Sequence, residues 1–347
     1  MIAPCEWFII WKELIVKMSA FGKMRNADTK IKEIFYMATS LLGRDILDVQ
    51  SLSNEEVKLI MDTAARFERA MDNGGRLLNM AGKTLATLFF EPSTRTRLSF
   101  ETAMLRLGGS VISVADGGGS SSAKKGETVY DTGKMIESYA DVAVIRHPVT
   151  GSAAELAAGS CKPVINGGDG AGQHPTQALL DLYTIIKEKG HVEGQTICLA
   201  GDLKNGRTVH SGAALLARMG VKFIFTAPEA LAMPESITEG LRKDGVSVEI
   251  IPDLDEAVAK SDVLYMTRIQ KERFTDPAEY ERLKGSYEVT LDTVKKAKKG
   301  LTIMHPLPRV TEIKTEVDDY EGAAYFRQAA NGVPVRMALL SLVCGCE

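Results

Sequence analysis

Residues 89–103 read FFEPSTRTRLSFETA, and five consecutive positions within them hold two arginines and three hydroxyl side chains. The stretch follows an apolar run typical of a buried strand and opens a segment with helical periodicity. This order brings the backbone N–H groups of Ser93, Thr94, Arg95 and Thr96 to a helix N-terminus, where unpaired donors and the helix dipole favour an anion. The Arg95 guanidinium offers phosphate a planar fork. The spacing predicts a phosphate site; a capped helix with solvated arginines is the weaker alternative.

A second polar stretch, GDGAGQHPTQALLDLY, runs from Gly168 to Tyr183. Its glycines let the backbone approach a ligand closely, and Pro175 suits the first turn of a helix. His174 and Gln177 are three residues apart and lie on one side of that turn. A neutral imidazole and a carboxamide together can hold a carbonyl oxygen and an amide nitrogen. Taken alone, His174 is more often a structural histidine, but beside an anion site it becomes a candidate for polarising a carbonyl group.

Further polar groups follow other predicted strands. Arginines end or follow apolar runs in the motifs VIRHP, GDLKNGRTVH and MTRIQKER, and a proline-rich turn, HPLPR, follows the last run. In open parallel sheets, ligands bind outside the carboxyl ends of the strands, so these groups are expected to face a common crevice. The residues concerned are Arg146, Arg207, Arg268, Gln270, Leu307 and Pro308.

The composition limits the classes of partner. The chain has 347 residues, of which 45% are hydrophobic and 25% charged, as in globular proteins with a sizeable core. Its 42 basic and 45 acidic residues give a net charge of −3, which argues against nucleic acid or a membrane surface as partner. Any phosphate binding must therefore be local.

The cysteines and the N-terminus bear on location. Five cysteines form no CxxC pair and no even-numbered disulfide set, so a reducing, cytoplasmic location is expected. The initial stretch MIAPCEWFIIWKELIV is apolar but interrupted by charges. It lacks the basic start and cleavage site of a signal peptide and is too short to span a bilayer. Residues 1–40 are predicted to be a leader of uncertain role.

Apolar, β-branched runs alternate with helical patterns in two successive series. The predicted fold class is therefore α/β: two doubly wound domains, each a mostly parallel sheet with helices on both faces, with the active site in the crevice between them. The first domain is expected to span residues 41–180 and the second residues 181–330, with a helix at 331–344 packing back on the first. The predicted strands are 84–90, 110–115, 141–145, 162–166, 195–202, 222–228, 247–252, 262–268 and 301–306.

In this order the motifs resemble one family, the aspartate/ornithine carbamoyltransferases, over about residues 47–343. The matching stretches are FFEPSTRTRLSFE, SSAKKGET, VIRHP, GDGAGQHPTQALLDLY, GDLKNGRTVH, MTRIQKER and HPLPR. The ornithine branch typically carries HCLP and SMG motifs; this chain has HPLP and no SMG, which favours the aspartate branch. By itself, the lysine-rich stretch SSAKKGET is typical of a solvated loop.

The resemblance implies a role for each matched residue. The first domain would bind carbamoyl phosphate and the second L-aspartate, and Arg95, Thr96, Arg146 and His174 would be catalytic. No metal or organic cofactor is implied. The phosphate would be bound by Ser93, Thr94, Arg95 and Thr96, the carbonyl oxygen by Thr96, Arg146 and His174, and the carbamoyl nitrogen by Gln177 and the carbonyls of Leu307 and Pro308. The aspartate would be bound by Arg207, Arg268, Gln270, Leu307 and Lys125, with Ser121 and Lys125 donated by a neighbouring subunit.

The implied activity is transfer of the carbamoyl group of carbamoyl phosphate to L-aspartate, in de novo pyrimidine synthesis. The expected assembly is a homotrimer with shared active sites, and a separate regulatory chain is left open. One alternative is a carbamoyltransferase for another amine, which Arg207 and Arg268 disfavour because two cations suit a dicarboxylate. The other is a catalytically silent homologue acting as a subunit, which would be expected to have lost its ligand residues.

Overall fold

The structure, a computed structural model, describes residues 40–115, 126–270, 274 and 276–347. The predicted leader lies outside this part except for Ser40, and so do two predicted site residues, Ser121 and Lys125. The described residues form two parallel sheets and the helices that cover them.

The first sheet has four parallel strands in the spatial order β2-β1-β3-β4. Three of them are almost wholly buried, as near-continuous apolar runs are in a parallel sheet covered on both faces, whereas β2 is a largely exposed edge. The strands are β1 (Thr84–Phe89), β2 (Ser110–Val114), β3 (Val142–His147) and β4 (Val164–Asp169).

The second sheet has five parallel strands in the order β7-β6-β5-β8-β9. Each of the nine predicted runs forms a strand, so the predicted α/β fold with parallel sheets is confirmed. The strands are β5 (Thr196–Ala200), β6 (Lys222–Thr226), β7 (Val248–Ile250), β8 (Val263–Met266) and β9 (Thr302–Met304).

Helices connect the strands and cover the sheets. None in the described part is long and apolar enough to cross a membrane. The helices are α1 (Asn54–Asp72), α2 (Thr94–Arg106), α3 (Val129–Ile136), α4 (Ser152–Ala158), α5 (Pro175–Lys189), α6 (Arg207–Ala217), α7 (Glu235–Lys243), α8 (Leu254–Lys260), α9 (Pro277–Leu283), α10 (Leu291–Lys296) and α11 (Tyr325–Cys344).

The last helix returns to the first sheet. α11 packs against α1, α2 and α5, although it follows the last strand of the second sheet in the chain. It begins at Tyr325, six residues before the predicted start, because the helix already includes the less apolar turn YFRQAANG. Buried apolar side chains such as Val335, Leu339 and Val343 join the same core as α1.

In both sheets the strand order changes direction at the first strand, so later strands are added on both sides of it. β1 lies between β2 and β3, and β5 lies between β6 and β8, so a crevice opens at each reversal outside the carboxyl ends. The turns that leave β1 and β3, and those that leave β5 and β8, carry the arginine motifs of the sequence.

Candidate active site

A cleft of about 770 Å³ lies where the turns after both sheets meet. All the predicted site residues within the described part of the chain line it. They are Ser93, Thr94, Arg95, Thr96, Arg146, His174, Gln177, Arg207, Arg268, Gln270, Leu307 and Pro308.

The N-terminus of α2 forms one wall. Ser93 is the N-cap residue, yet its side chain does not cap the helix. Thr96 is buried, whereas Thr94 and Arg95 are exposed. Partial burial of the guanidinium, and then the nearby charge of Arg268, lower the pKa of Arg95 from its ordinary value. The helix end therefore presents N–H groups, hydroxyls and a cation to an anion.

Arg146, at the end of β3, is held in a largely buried position. Its Nη2 donates to Glu91 Oε1 at 2.8 Å and its Nη1 to the Gly167 carbonyl at 3.2 Å, while its buried Nε has no partner. Burial, and then the charge of Arg207, lower the pKa of Arg146 to about 10, so the side chain remains a cation at neutral pH. An unpaired buried N–H is a donor that a ligand can use.

His174 precedes α5 and is almost completely buried. Burial, followed by the charges of Arg146, Arg207 and Arg336, holds its pKa well below the ordinary 6.5. The imidazole is therefore neutral at physiological pH, and its buried Nδ1 has no partner. Its backbone N–H donates to Ser211 Oγ of α6 at 3.2 Å, which ties the start of α5 to the second sheet.

Arg207 opens α6 on the opposite side of the cleft. Its Nη1 donates to the Gly170 carbonyl at 2.5 Å, and its Nη2 lies 3.2 Å from Glu91 Oε1. Glu91 therefore accepts from both Arg146 and Arg207, and it joins the first sheet to the second. Gly168, with φ +116°, lies beneath both guanidiniums: a Cβ there would come within 2.8 Å of Arg146 Nη1 and 3.3 Å of Arg207 Cζ.

The turn after β9 adds backbone groups to the cleft. Leu307 has φ +54°, in the left-handed region that non-glycine residues seldom adopt. Its N–H donates to His305 Nδ1 at 2.8 Å. His305 Nε2 lies 2.8 Å from Glu312 Oε1, so this nitrogen carries the proton and Nδ1 is the acceptor. Two buried side chains thus hold the turn in its conformation.

The cleft is a local region of positive charge in an acidic chain. Among the described residues, its lining includes one carboxylate, Glu91. The five arginines of the same lining are Arg95, Arg146, Arg207, Arg268 and Arg336. No group of three metal-ligating side chains occurs in the part of the chain that the structure describes.

Several polar residues in or beside the cleft were not predicted from the sequence, among them Glu91, Glu312 and Asp181. Glu91 lies inside the quoted FFEPSTRTR stretch, and a carboxylate directly after a buried strand was a usable signal. No sequence signal pointed to Glu312, because its contact with His305 depends on the turn after β9. Asp181 was hidden in the apolar run of α5, where it accepts from Gln177 Nε2 at 2.8 Å.

Two doubly wound domains with an arginine-lined cleft between them are typical of enzymes that bind small anionic ligands. Two family models cover the chain: the carbamoyl-P binding domain of aspartate/ornithine carbamoyltransferase matches residues 44–188, and the Asp/Orn binding domain matches residues 193–343. The chain belongs to the aspartate/ornithine carbamoyltransferase family.

Three similar proteins belong to the aspartate branch. The aspartate carbamoyltransferase catalytic subunit of Thermococcus kodakarensis is 54% identical over 303 residues, which are 87% of this chain and 97% of that one. The catalytic subunit of M. jannaschii aspartate transcarbamoylase superposes with a TM-score of 0.82 at 47% identity, over 87% of this chain and 98% of the other. The Trypanosoma cruzi aspartate transcarbamoylase in complex with carbamoyl phosphate and aspartate superposes with a TM-score of 0.83 at 43% identity. The match covers 87% of this chain and 97% of the other.

Proposed function

We propose that the chain transfers the carbamoyl group of carbamoyl phosphate to the amine of L-aspartate, giving N-carbamoyl-L-aspartate and phosphate in de novo pyrimidine synthesis. The observation that carries this proposal is the single cleft in which the N-terminus of α2 meets Arg146, His174, Arg207 and Arg268. The likeness to a T. cruzi enzyme in complex with both substrates supports the same pair of ligands.

Carbamoyl phosphate binds with its phosphate at the N-terminus of α2. Ser93, Thr94, Arg95 and Thr96 supply the N–H groups, hydroxyls and cation that suit three phosphate oxygens. The Ser93 hydroxyl is not engaged in capping and is therefore available to the ligand. The two carboxylates of L-aspartate bind to Arg207 and Arg268 on the far side, with Gln270 beside them and Leu307 at the turn after β9.

The reaction is an acyl transfer. The amine of aspartate attacks the carbonyl carbon, a C–N bond forms, and negative charge grows on the carbonyl oxygen. Thr96, Arg146 and His174 are directed at that oxygen, and preorganised donors of this kind are each worth about 3 kcal/mol of barrier. The C–O bond to phosphate then breaks, and the leaving phosphate takes the proton of the amine. Binding both substrates in one cleft adds the gain from proximity.

The neutrality of His174 matters for this mechanism. A neutral imidazole donates one N–H to the carbonyl oxygen without adding a third positive charge beside Arg146 and Arg207. Its low pKa also keeps the imidazole uncharged in mildly acidic solution.

Gln177 and the carbonyl groups of Leu307 and Pro308 complete the site around the carbamoyl nitrogen.

Phosphate release by the purified chain tests the proposal. With carbamoyl phosphate present, release is expected with L-aspartate and not with L-ornithine, because two arginines favour a second carboxylate and repel a cationic side chain. Release with ornithine alone would point to the other branch of the family. No release with either, from a folded protein, would favour a silent homologue.

The proposed assembly is a homotrimer in which each active site also receives Ser121 and Lys125 from a neighbour. The family resemblance supports this arrangement, since both residues lie outside the described part. Exposed apolar side chains on α2, β2 and α3 suit an interface between subunits: Leu105, Ile112 and Met135 are 62%, 40% and 47% exposed. A separate regulatory chain is a further proposed partner, supported by relatives named as catalytic subunits.

The proposed location is the cytoplasm. Four cysteines, Cys161, Cys198, Cys344 and Cys346, are free thiols in the described part of the chain, and free thiols suit a reducing compartment.

A further inference from the structure

Asp181 is a buried carboxylate one helical turn after Gln177 on α5. It is 1% exposed and accepts three hydrogen bonds. Gln177 Nε2 and Gln328 Nε2 donate to Oδ1 at 2.8 and 2.6 Å, and the Tyr265 hydroxyl of β8 donates to Oδ2 at 2.8 Å. The donors come from α5, from α11 and from the second sheet, so one side chain connects three walls of the cleft.

The chemistry of the carboxylate fixes how the two amides face. An ionised carboxylate only accepts, so each glutamine must turn its NH₂ group toward Asp181 and its oxygen away. For Gln328 the consequence is visible: its Oε1 accepts from the His305 N–H at 2.8 Å, next to the turn of Leu307. For Gln177, which lines the cleft, the same rule directs the oxygen toward the ligand.

We propose that Asp181 is the positioning residue that holds the Gln177 oxygen toward the cleft, and that this oxygen selects an acyl phosphate bearing NH₂ over one bearing CH₃. The inference rests on the proposed function, in which Gln177 faces the carbamoyl nitrogen. A site built to accept a hydrogen bond rejects an analogue that lacks the donor, because its own buried polar group is then left unpaired.

The selection depends on pH. Burial raises the pKa of Asp181 to about 6, so below this pH the neutral carboxyl is a weaker acceptor and holds the Gln177 amide less firmly. The other groups that face Asp181 do not titrate near this pH: the Gln177 and Gln328 amides carry no charge, burial raises the pKa of Tyr265 well above 10, and the pKa of Arg336 is about 10. Preference for NH₂ should therefore fall as the pH decreases through about 6.

The test is a binding experiment with two stable analogues that differ only at this group. Phosphonoacetamide carries NH₂ on its carbonyl carbon, and acetonylphosphonate carries CH₃. We expect calorimetry of the purified chain to show tighter binding of the amide, and Asp181→Leu, which removes both acceptor oxygens, to reduce the ratio of the two Kd values roughly tenfold. Tyr183→Phe is the matched control: it removes a hydroxyl from the same helix that donates to Glu68 Oε2 at 2.8 Å outside the cleft lining, so the ratio should stay.

Each outcome decides the role of Asp181. A wild-type chain without preference for the amide, or an Asp181→Leu protein that keeps the preference, overturns the inference. An equal loss in Tyr183→Phe would reduce Asp181 to a general packing role and overturn it as well. If Asp181→Leu does not fold, the pH profile of the wild-type ratio decides, and a flat profile from pH 5 to 7.5 contradicts the inference. Since the readout is binding, absence of aspartate-dependent turnover is a separate result that affects only the proposed function.

Discussion

Two side chains that line the cleft have buried nitrogen atoms without hydrogen-bond partners. Arg146 Nε and His174 Nδ1 are buried without partners, although buried polar groups are nearly always paired. Both belong to residues whose surroundings favour a donor: one is a cation held by Glu91, the other an imidazole kept neutral by burial. Leaving them unpaired costs stability, and in the proposed reaction a bound carbonyl oxygen would accept these hydrogen bonds.

Arg146→Ala is expected to lower kcat by about 10²- to 10³-fold, because it removes a donor aimed at the developing oxyanion. Arg97→Ala is the matched control: it lies in the same motif as Arg95, but outside the cleft lining, and pairs with Glu101 at 3.9 Å. Its turnover should remain within about twofold of wild type, since exposed pairs contribute little. Steady-state kinetics and the thermal midpoint check both. A folded Arg146→Ala protein with near-normal kcat would contradict the role of Arg146.

The low pKa of His174 also links stability to pH. The unfolded chain takes up a proton at this histidine below about pH 6.5, whereas the folded chain does not. More protons on the unfolded state mean that His174 reduces stability as the pH falls below that value. Asp181 acts in the opposite sense: its folded pKa near 6 exceeds 3.8, so between these values the folded state holds the extra proton.

At the scale of elements, the carboxyl end of β4 is shaped by the side chains that lie above it. Gly168 leaves room for two guanidiniums, which a side chain at this place would displace. The strands on each side were predictable because buried parallel strands are continuous apolar runs. The convergence of Arg146 and Arg207 over one glycine could not be predicted from the sequence, because it depends on how the two sheets meet.

Gly168→Ala is expected to lower kcat/KM at least tenfold, because the new methyl group would meet Arg146 Nη1 at 2.8 Å and shift both arginines. Gly190→Ala provides the control: this residue also has a positive φ, +77°, but nothing lies within 4 Å of its Cβ position. That variant should lose about 1 kcal/mol of stability and keep its activity. Equal losses of thermal stability with normal turnover in both variants would show that the space above Gly168 is not required.

Sequence reasoning therefore reached the elements and most of the site. Motifs at the carboxyl ends of strands predicted Ser93, Arg95, Arg146 and Arg207, because local spacing already places these residues at a helix start or a strand end. Residues that act through other residues stayed hidden. Asp181 is surrounded in the sequence by apolar neighbours, and its partners Tyr265 and Gln328 are 84 and 147 positions away.

The whole molecule has its catalytic cleft where separate parts of the chain meet. The two sheets are tied together by Glu91, by the contact of α5 with α6 and by α11, which returns from the second sheet to the first. Most of the cleft lies within one chain. The proposed contribution of Ser121 and Lys125 from a neighbouring subunit is a property of the assembly.

Mixed trimers test that shared site. Arg95→Ala and Lys125→Ala subunits, each inactive alone, should regain about one quarter of full activity after equal mixing and random exchange, because a cyclic trimer then forms some sites from two intact halves. Arg95→Ala mixed with the double variant should regain none. Subunit exchange is verified by mass spectrometry of differently tagged chains. If exchange is complete and no activity returns, the site lies within a single subunit.

Glu91 gives the cleft a counter-ion of its own. Its carboxylate already pairs with both Arg146 and Arg207, so an arriving carboxylate or phosphoryl group must take over guanidinium bonds that are in use. Ligand binding is then an exchange of counter-ions rather than capture by bare cations. Stray monovalent anions, which bind arginine weakly, gain little from such an exchange, whereas a ligand with several correctly placed oxygens gains at each guanidinium. The cleft thus resists the common salts of its surroundings while it stays strongly basic.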